Sequence, residues 1–438
     1  MEAKNKETLW HIGTSAVDIT PPPGLWMAGY AFRNRPAESA IHPLWVKAIA
    51  LKDAQGTTAI IVGCDILGFP QKVAERIKSK VLNELHIHPA NVILNSSHTH
   101  SGPVIEDSLI GIYPIDETEQ IDKIKDYTAE LERKVFQAIT EANSNLCPAK
   151  LYYGKGISRF AVNRRNNKAT EIENLSEFKG PVDYSVPVLF AKSNEDDSII
   201  VILFSYACHG TVLGDYQWCG DYPGFAQTEL QSIYPNALAV FLSGCCADID
   251  PMPRLKLSLA RQYGKELCFA VNTAIEDPQK EILPYLITKM EFISLDLEDP
   301  ITKDELEKIA NDPTQVDYKY RSAKYLLKEL SKGKKFINSY EYPIQVWNLG
   351  GVPLIALGGE VVVDYAIFIK EKIGKDAIVL GYSNDVMGYI PSLRVLREGG
   401  YEGGDFQIGY GLPAKWKETI EERILSSVYR AWNEVSNI

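Results

Sequence analysis

The chain has 438 residues, which is enough to bury one large hydrophobic core or two medium ones. Its formal net charge of −11 argues against a nucleic-acid partner, because a polyanion is bound by a basic surface. Apolar residues make up 45% of the chain, yet no apolar run reaches the roughly 18–20 residues that a membrane span requires. We therefore expect a soluble protein whose partner is a small molecule.

Apolar runs alternate with helical spacing along the chain, after a polar start. Residues 1–7 lack the apolar core of a signal peptide, which predicts a cytoplasmic protein, although a removed leader would leave the same trace. The strands are predicted at 45–51, 58–66, 92–94, 198–207, 237–242 and 378–380, and the helices at 71–85, 223–233, 257–275, 361–373 and 414–434. This alternation predicts an α/β fold, a mixed-sheet layered catalytic domain with helices packed on the sheets and with insertions.

No internal repeat or flexible linker divides the sequence, so we expect a single catalytic domain over residues 1–438. Residues 301–335 are charged and helix-prone, which predicts a helical insertion. The sequence predicts neither the conformation of loops 104–122 and 301–340 nor the oligomeric state.

The first candidate site is the run His98-Thr99-His100, which follows the predicted strand 92–94 and precedes a Gly-Pro loop. The chain has only seven histidines, and two of them lie here. Residues two apart on an extended segment project to the same side, so both imidazoles can face one metal or one proton relay. The alternative is a pair of loop histidines hydrogen-bonded to backbone or water.

Other predicted strands also end in residues that can bind a metal or transfer a proton. His209 lies beside a glycine, Asp248 and Asp250 are two residues apart, and Glu360 follows two glycines. Each has a simpler explanation: a packed histidine, turn-capping carboxylates, or a helix-capping glutamate. Taken together, imidazole and carboxylate without thiolate favour a catalytic zinc, which acidifies water to a pKa of about 7 and polarises a carbonyl.

The order of these motifs resembles that of the neutral/alkaline (non-lysosomal) ceramidase family, and the matches extend through most of the chain. The matching segments are Ala16-Val17-Asp18-Ile19-Thr20-Pro21, Met27-Ala28-Gly29-Tyr30, His98-Thr99-His100-Ser101-Gly102-Pro103, Asn163-Arg164, His209-Gly210-Thr211, Gly359-Glu360, Tyr389 and Tyr401-Glu402-Gly403-Gly404.

The resemblance implies a role for each matching residue. The implied zinc ligands are His98, His209, Glu360 and Tyr389, of which Tyr389 comes from the resemblance alone. His100 is implied as a hydrogen-bonding or proton-shuttling histidine, and Arg164 as a cation that binds the substrate or the developing oxyanion.

The sequence departs from the family in two respects. The family carries a serine nucleophile in a Gly-Asp-Val-Ser-Pro run, whereas this chain has Ala247-Asp248-Ile249-Asp250-Pro251, so that Asp250 stands in place of the serine. A carboxylate cannot copy the attacking hydroxyl, but it can orient or deprotonate water, or bind a metal. The family's C-terminal immunoglobulin-like domain is also expected to be absent.

We therefore expect a zinc-dependent hydrolase that cleaves an amide, or an ester, by metal-activated water, with Asp250 as base or water-orienting group. The expected substrate is a small molecule, N-acylated or lipid-like. One alternative is a true ceramidase that releases fatty acid and sphingoid base and tolerates Asp250. A second alternative is a catalytically silent protein that keeps the metal for stability.

Overall fold

The structure is a computed structural model that describes residues 8–115, 119–172, 177–277 and 280–437. The strands are β1 (Trp10–Asp18), β2 (Ser39–Ala40), β3 (Trp45–Lys52), β4 (Thr58–Cys64), β5 (Val92–Ser96), β6 (Cys147–Ile157), β7 (Ala161–Asn163), β8 (Ser185–Ser193), β9 (Ile199–Tyr206), β10 (Gln217–Trp218), β11 (Leu238–Ser243), β12 (Ile249–Pro251), β13 (Lys280–Ile282), β14 (Leu286–Asp296), β15 (Ser339–Leu349), β16 (Val352–Leu357), β17 (Glu360–Val361), β18 (Ile378–Leu380) and β19 (Tyr389–Ile390). The α-helices are α1 (Gln71–Leu85), α2 (Glu119–Ser144), α3 (Asp221–Ile233), α4 (Leu257–Glu276), α5 (Lys303–Asn311), α6 (Asp317–Ser331), α7 (Val363–Ile373), α8 (Leu393–Glu398) and α9 (Ile420–Ser436).

Two sheets form the centre of the molecule. The larger sheet has nine strands in the order β11-β9-β8-β6-β1-β3-β4-β5, with β13 paired to β6. It is mixed, because β9 with β11 and β4 with β5 are parallel while the other pairs are antiparallel. The smaller sheet has the order β14-β15-β16-β18, in which β16 and β18 are parallel.

Several strands, among them β3, β4, β5, β11 and β16, are almost wholly buried, because both faces of the sheet are covered there. In β3, Val46, Ala48 and Ala50 face one hydrophobic core, whereas Ile49 and Leu51 face another. This alternation is the period of two that an extended strand imposes. The second core fills the space between the two sheets, where these strand residues meet Trp347, Leu349, Leu354 and Leu380.

Helices cover the outer faces of both sheets. Helix α2 packs on β1 and β3, and α3 and α4 pack together on β11, β6 and β8. On the smaller sheet, α9 packs on β14 and β15 and contacts α7. The molecule is therefore layered as helix, sheet, sheet, helix, which confirms the predicted α/β class with a mixed sheet.

The predicted boundaries differ from the structure most clearly at two helices. Helix α9 begins at Ile420, not at residue 414, because residues 415–417 pair with residues 296–298: the Glu298 amide donates to the Lys415 carbonyl and the Lys417 amide to the Asp296 carbonyl, each at 2.9 Å. Helix α2 was not predicted, since its many charged residues obscure the apolar stripe. That stripe is nevertheless present, with the buried residues Ile124, Thr128, Leu131 and Val135 recurring every three to four positions.

The charged segment 301–335 contains α5 and α6, which pack on each other around Leu306, Ala310, Ala323 and Leu326. Arg321 of α6 connects these two helices to the rest of the molecule. Its Nε donates to the Ile112 carbonyl at 2.6 Å and its Nη2 to the Ala31 carbonyl at 2.8 Å. Within the described ranges, no helix has the length and apolarity needed to cross a membrane.

The large sheet curves until its two edge strands, β5 and β11, come into contact. The side chain of Asn95 joins them: its Oδ1 accepts from the Ser243 amide at 2.8 Å, and its Nδ2 donates to the Gly381 carbonyl at 2.8 Å. The loops that follow β5, β9, β11, β16 and β18 are thereby brought to one place. This convergence builds the site.

Candidate active site

Backbone contacts between loops place the predicted site residues side by side. The loop after β5 meets the loop after β9 through a parallel bridge of Thr99 with Gly210, and the His100 amide donates to the Gly210 carbonyl at 3.0 Å. On the other side, Glu360 of β17 is the register partner of Tyr389 in β19. Backbone pairing thus brings residues that are far apart in sequence to one place.

We name His98, His100, His209 and Glu360 the histidine cluster. Oε2 of Glu360 lies 3.3 Å from Nε2 of His98 and 3.3 Å from Nε2 of His209. Nε2 of His100 faces Nε2 of His98, also at 3.3 Å. One potential ligand atom from each of the three histidines lies within 4.8 Å of those of the others, so this group could hold a metal ion.

The second ring nitrogen distinguishes the three histidines. Nδ1 of His98 is 2.5 Å from the Leu67 carbonyl, and Nδ1 of His209 is 2.6 Å from the Cys246 carbonyl. A histidine that binds a metal usually donates its other N–H to such an acceptor, which fixes the tautomer and leaves Nε2 free as a ligand. Nδ1 of His100 is buried and has no hydrogen-bond partner in the described part of the chain.

The atoms of the histidine cluster fit a zinc ion. Nε2 of His209 is fully buried without a hydrogen-bond partner among the described residues, although it lies 3.3 Å from Glu360 Oε2. A buried ligand atom in this state is explained if a cation completes it. Tetrahedral zinc with bonds of about 2.0–2.1 Å places its ligand atoms roughly 3.3 Å apart, as they are here. Two imidazoles and a carboxylate are also ligands that zinc commonly takes.

The backbone around the two histidines of the motif is specialised. His98 has φ +54°, a left-handed conformation that is unfavourable for a residue with a Cβ and is often found at functional sites. Gly29 has φ +96°, and a Cβ there would lie 2.5 Å from Cγ of the His100 ring. Glycine at position 29 therefore allows the chain to pack against His100, which gives the run Met27-Ala28-Gly29-Tyr30 a physical role.

Two tyrosines hold the carboxylate of Glu360. The Tyr410 hydroxyl donates to Oε1 at 2.5 Å, and the Tyr382 hydroxyl lies 3.5 Å from Oε2. Burial acts to raise the pKa of Glu360, but His98 and His209 outweigh it, so the pKa lies well below its usual range. The group is therefore an anion, ready to bind a cation. Sequence reasoning missed Tyr410, because nothing about its spacing marks it.

A second group adjoins the first, and we name Arg164, Asp250, Arg254 and Glu402 the arginine cluster. Arg164 donates from Nη1 to Asp250 at 3.2 Å and from Nε to Glu402 at 2.8 Å, and its Nη2 lies 3.3 Å from the Tyr389 hydroxyl. Nη1 of Arg254 is 3.6 Å from Oδ2 of Asp250. Tyr389 thus connects the two clusters through its backbone pairing and its hydroxyl.

Asp250, which the sequence resemblance matches to a serine of the family, is a buried anion. Burial acts to raise its pKa, but Arg164, His209 and Arg254 outweigh burial and lower it below the ordinary value. Thr211 adds a hydroxyl 3.4 Å from Oδ1. A carboxylate with a lowered pKa is a weak base and a good hydrogen-bond acceptor, so this environment suits orientation better than proton abstraction.

The structure brings together all seven site residues that the sequence suggested: His98, His100, His209, Glu360, Tyr389, Asp250 and Arg164. It separates Asp248 from them, because that carboxylate accepts from the Val363 amide at the start of α7 and from Asn163, each at 2.9 Å. Asp248 is thus the capping residue of the pair. Arg254 was missed, and Glu402 was noticed only as part of a motif.

Comparison with known proteins identifies the family. The sequence model described as "Neutral/alkaline non-lysosomal ceramidase, N-terminal" matches residues 10–234, which is about half of the chain. The chain belongs to this family. A curated neutral ceramidase of Oryza sativa subsp. japonica is 27% identical over 209 residues, covering 46% of this chain and 26% of that protein. The chain thus matches about a quarter of the length of this relative.

Two solved structures share the fold. The neutral ceramidase from Pseudomonas aeruginosa has a TM-score of 0.75 at 18% identity, covering 98% of this chain and 75% of that one. A ceramidase described as complexed with C2 has a TM-score of 0.74 at 17% identity, covering 98% of this chain and 76% of that one. The architecture is therefore that of these proteins across nearly the whole chain.

Proposed function

We propose that this chain is a zinc-dependent hydrolase that cleaves an amide, or an ester, with water as the nucleophile. The observation that supports this is the separation of 3.3 Å from Glu360 Oε2 to the Nε2 atoms of both His98 and His209, whose Nδ1 atoms are fixed by backbone carbonyls. A zinc ion held there supplies a Lewis acid for the scissile carbonyl and acidifies water. Tyr389 as a further ligand rests on the family resemblance.

The remaining residues have distinct proposed roles. His100 is half-buried, and its Nε2 faces the histidine cluster, so it is placed to relay protons between water and the leaving amine. Asp250 stays ionised and accepts a hydrogen bond from the attacking water or from the substrate. Among the described residues, Nη1 of Arg164 hydrogen-bonds only to Asp250 and Nη2 only to Tyr389, so each can offer its second N–H to the developing oxyanion.

The test combines metal analysis with an activity panel on N-acyl amides and esters. We expect about one zinc per chain and metal-dependent turnover of at least one N-acyl substrate. A zinc-replete protein that leaves every amide and ester intact would contradict the proposal. In that case the metal serves stability, and a His98→Ala variant would show a lower melting temperature as its only defect.

True ceramidase activity is the second candidate, because family membership and the shared fold favour it. It predicts hydrolysis of detergent-dispersed ceramide by the wild-type protein. The Asp250→Ser variant separates the two possibilities. If only the variant cleaves ceramide, the carboxylate at position 250 is what distinguishes this chain from ceramidases. If the wild type cleaves it equally well, Asp250 is simply tolerated.

A further inference from the structure

In the described part of the chain, four arginines lie around the candidate site, and three of them are each held by several hydrogen bonds. Arg33 is completely buried and donates to the carbonyls of Ala28, His100 and Asp215. Arg164 is held by Asp250, Glu402 and Tyr389, as described above. Arg165 binds Glu402 at 2.6 Å and also contacts Glu398 and the Gly399 carbonyl. These three arginines therefore stabilise the structure around the site.

Arg254 differs from the other three. Its one ion pair, with Asp250, has a separation of 3.6 Å, and its guanidinium makes no hydrogen bond to any residue that the structure describes. The side chain is 30% exposed. Asp250 is nevertheless engaged on its other oxygen by Arg164, at 3.2 Å. The planar fork of Arg254 is thus free to bind a carboxylate through two parallel hydrogen bonds.

The guanidinium of Arg254 lies close to the candidate site, with Nη1 3.6 Å from Oδ2 of Asp250. Its positive charge acts to lower the pKa of both Asp250 and the Tyr30 hydroxyl, as expected of a cation near these groups. The ring of Tyr30 in turn packs edge-on against His100, with centroids 4.8 Å apart. A substrate anion at Arg254 would therefore lie next to the histidine cluster and not on a remote surface.

Apolar side chains border the same cation. Leu255 is 64% exposed and has φ +72°, an unfavourable conformation for a residue that contacts so little. Phe32 is 63% exposed and stacks on Tyr30 at a centroid distance of 5.0 Å. These three side chains meet around Gly214, where a Cβ would lie 3.4 to 3.9 Å from each of them. A cation beside an exposed apolar surface suits an amphiphile with an acid group.

We propose that Arg254 recognises a carboxylate on the substrate, so that the preferred substrates are N-acyl amino acids. This inference rests on the proposed amide hydrolase function and adds its substrate class. Asp250 then has a second role, because its negative charge attracts the Arg254 guanidinium and keeps it beside the site. A neutral serine could not do this. The acyl chain lies on the surface formed by Phe32 and Leu255, and the carboxylate pairs with Arg254.

The experiment compares an N-acyl amino acid with its own carboxamide, at equal acyl-chain length, in the full chain with its metal. Both turnover and direct binding by calorimetry are measured for wild type, Arg254→Met and Arg254→Lys. We expect wild type to favour the acid by about tenfold or more, since a hydrogen-bonded ion pair is lost with the carboxamide. In Arg254→Met the preference falls to near unity through a higher KM or Kd for the acid, and Arg254→Lys restores part of it.

Arg261→Met is the matched control, because Arg261 is an exposed arginine on α4 and contacts Phe225 outside the site. It should leave the preference unchanged. Equal binding of acid and carboxamide by wild type would overturn the role of Arg254, whatever the turnover. A preference for the acid in binding that Arg254→Met abolishes, with neither compound cleaved, would support the subsite and reject the amide hydrolase. If Arg254→Met still prefers the acid to the carboxamide, the substrate carboxylate binds the metal and not Arg254.

Discussion

The histidine cluster and the arginine cluster adjoin each other through Tyr389 but are held in different ways. His98 and His209 are oriented by main-chain carbonyls of Leu67 and Cys246, which belong to loops fixed by the sheets. Arg164 and Asp250 are oriented by one another and by Glu402 through side-chain ion pairs. The first arrangement depends on the fold, whereas the second depends on the identity of each residue.

The difference shows where such a fold can change its chemistry. Carbonyls persist when side chains are substituted, so the orientation of the histidines survives changes elsewhere in the sequence. An ion-pair network changes with each of its members, and one of them here, Asp250, is the residue that the sequence resemblance matches to a serine of the family. We therefore expect the histidine cluster to define the class of reaction and the arginine cluster to define the substrate.

The largest effect should come from removing a histidine whose orientation depends on the fold. In His209→Ala, the proposed zinc site loses a ligand atom that has no hydrogen-bond partner among the described residues, so we expect loss of bound zinc and a fall in activity of about 10²–10³-fold or more. Metal analysis and kinetics measure this. His11→Ala, an exposed histidine on β1, is the control. Full zinc content in His209→Ala would show that the metal, if bound, uses other ligands.

Breaking the arginine cluster should leave the metal in place. In Glu402→Gln, Arg164 and Arg165 lose a shared buried anion, and we expect the free energy of unfolding to fall by about 2–4 kcal/mol. Urea denaturation together with zinc analysis measures both effects. Glu398→Gln is the control, because this exposed partner of Arg165 should contribute at most about 1 kcal/mol. Loss of zinc in Glu402→Gln would show that the two clusters are not independent.

The same contrast explains what the sequence could predict. His98 and His100 were found from their spacing, because residues two apart in an extended loop face the same side. His209 and Glu360 were found because they follow apolar strands, and strand ends converge in this architecture. Arg254 and Tyr410 have no such local signal, since their partners, Asp250 and Glu360, are fixed only by the tertiary fold. Tyr389 was suggested by family resemblance alone.

We expect the stability of the protein to depend on pH through Asp385, a buried carboxylate behind the histidine cluster. Asp385 is buried, accepts from the Tyr340 hydroxyl at 2.6 Å, and holds the Gly359 amide through its own carbonyl. Burial raises its pKa to about 7, despite the hydrogen bond from Tyr340. The native state therefore binds a proton that the unfolded state releases near pH 4, so stability must decrease as the pH rises from about 4 to 7 and then level off.

Urea denaturation near pH 5 and pH 8 tests this dependence. Wild type should lose about 2–3 kcal/mol more between these values than Asp385→Asn, which has no proton to release. Asp126→Asn, at an exposed position on α2, should behave like wild type. If the free energy of unfolding of Asp385→Asn falls between pH 5 and pH 8 as much as that of wild type, other groups cause the pH dependence. Zinc content should be the same in all three proteins, because Asp385 contacts no residue of the histidine cluster by its side chain.

The smallest expected effect concerns the Tyr410 hydroxyl, which supports the histidine cluster through Glu360. Tyr410 donates to Oε1 of Glu360, the oxygen opposite the one that faces the histidines. Tyr410→Phe keeps the ring and removes this hydrogen bond, so zinc affinity should fall about tenfold, at the lower end of the effect of outer-shell changes. Chelator competition measures the affinity, and Tyr429→Phe, whose hydroxyl contacts the Phe368 carbonyl away from the site, is the control. An unchanged affinity would mean that backbone contacts alone hold the cluster, and the contrast with the arginine cluster would then be complete.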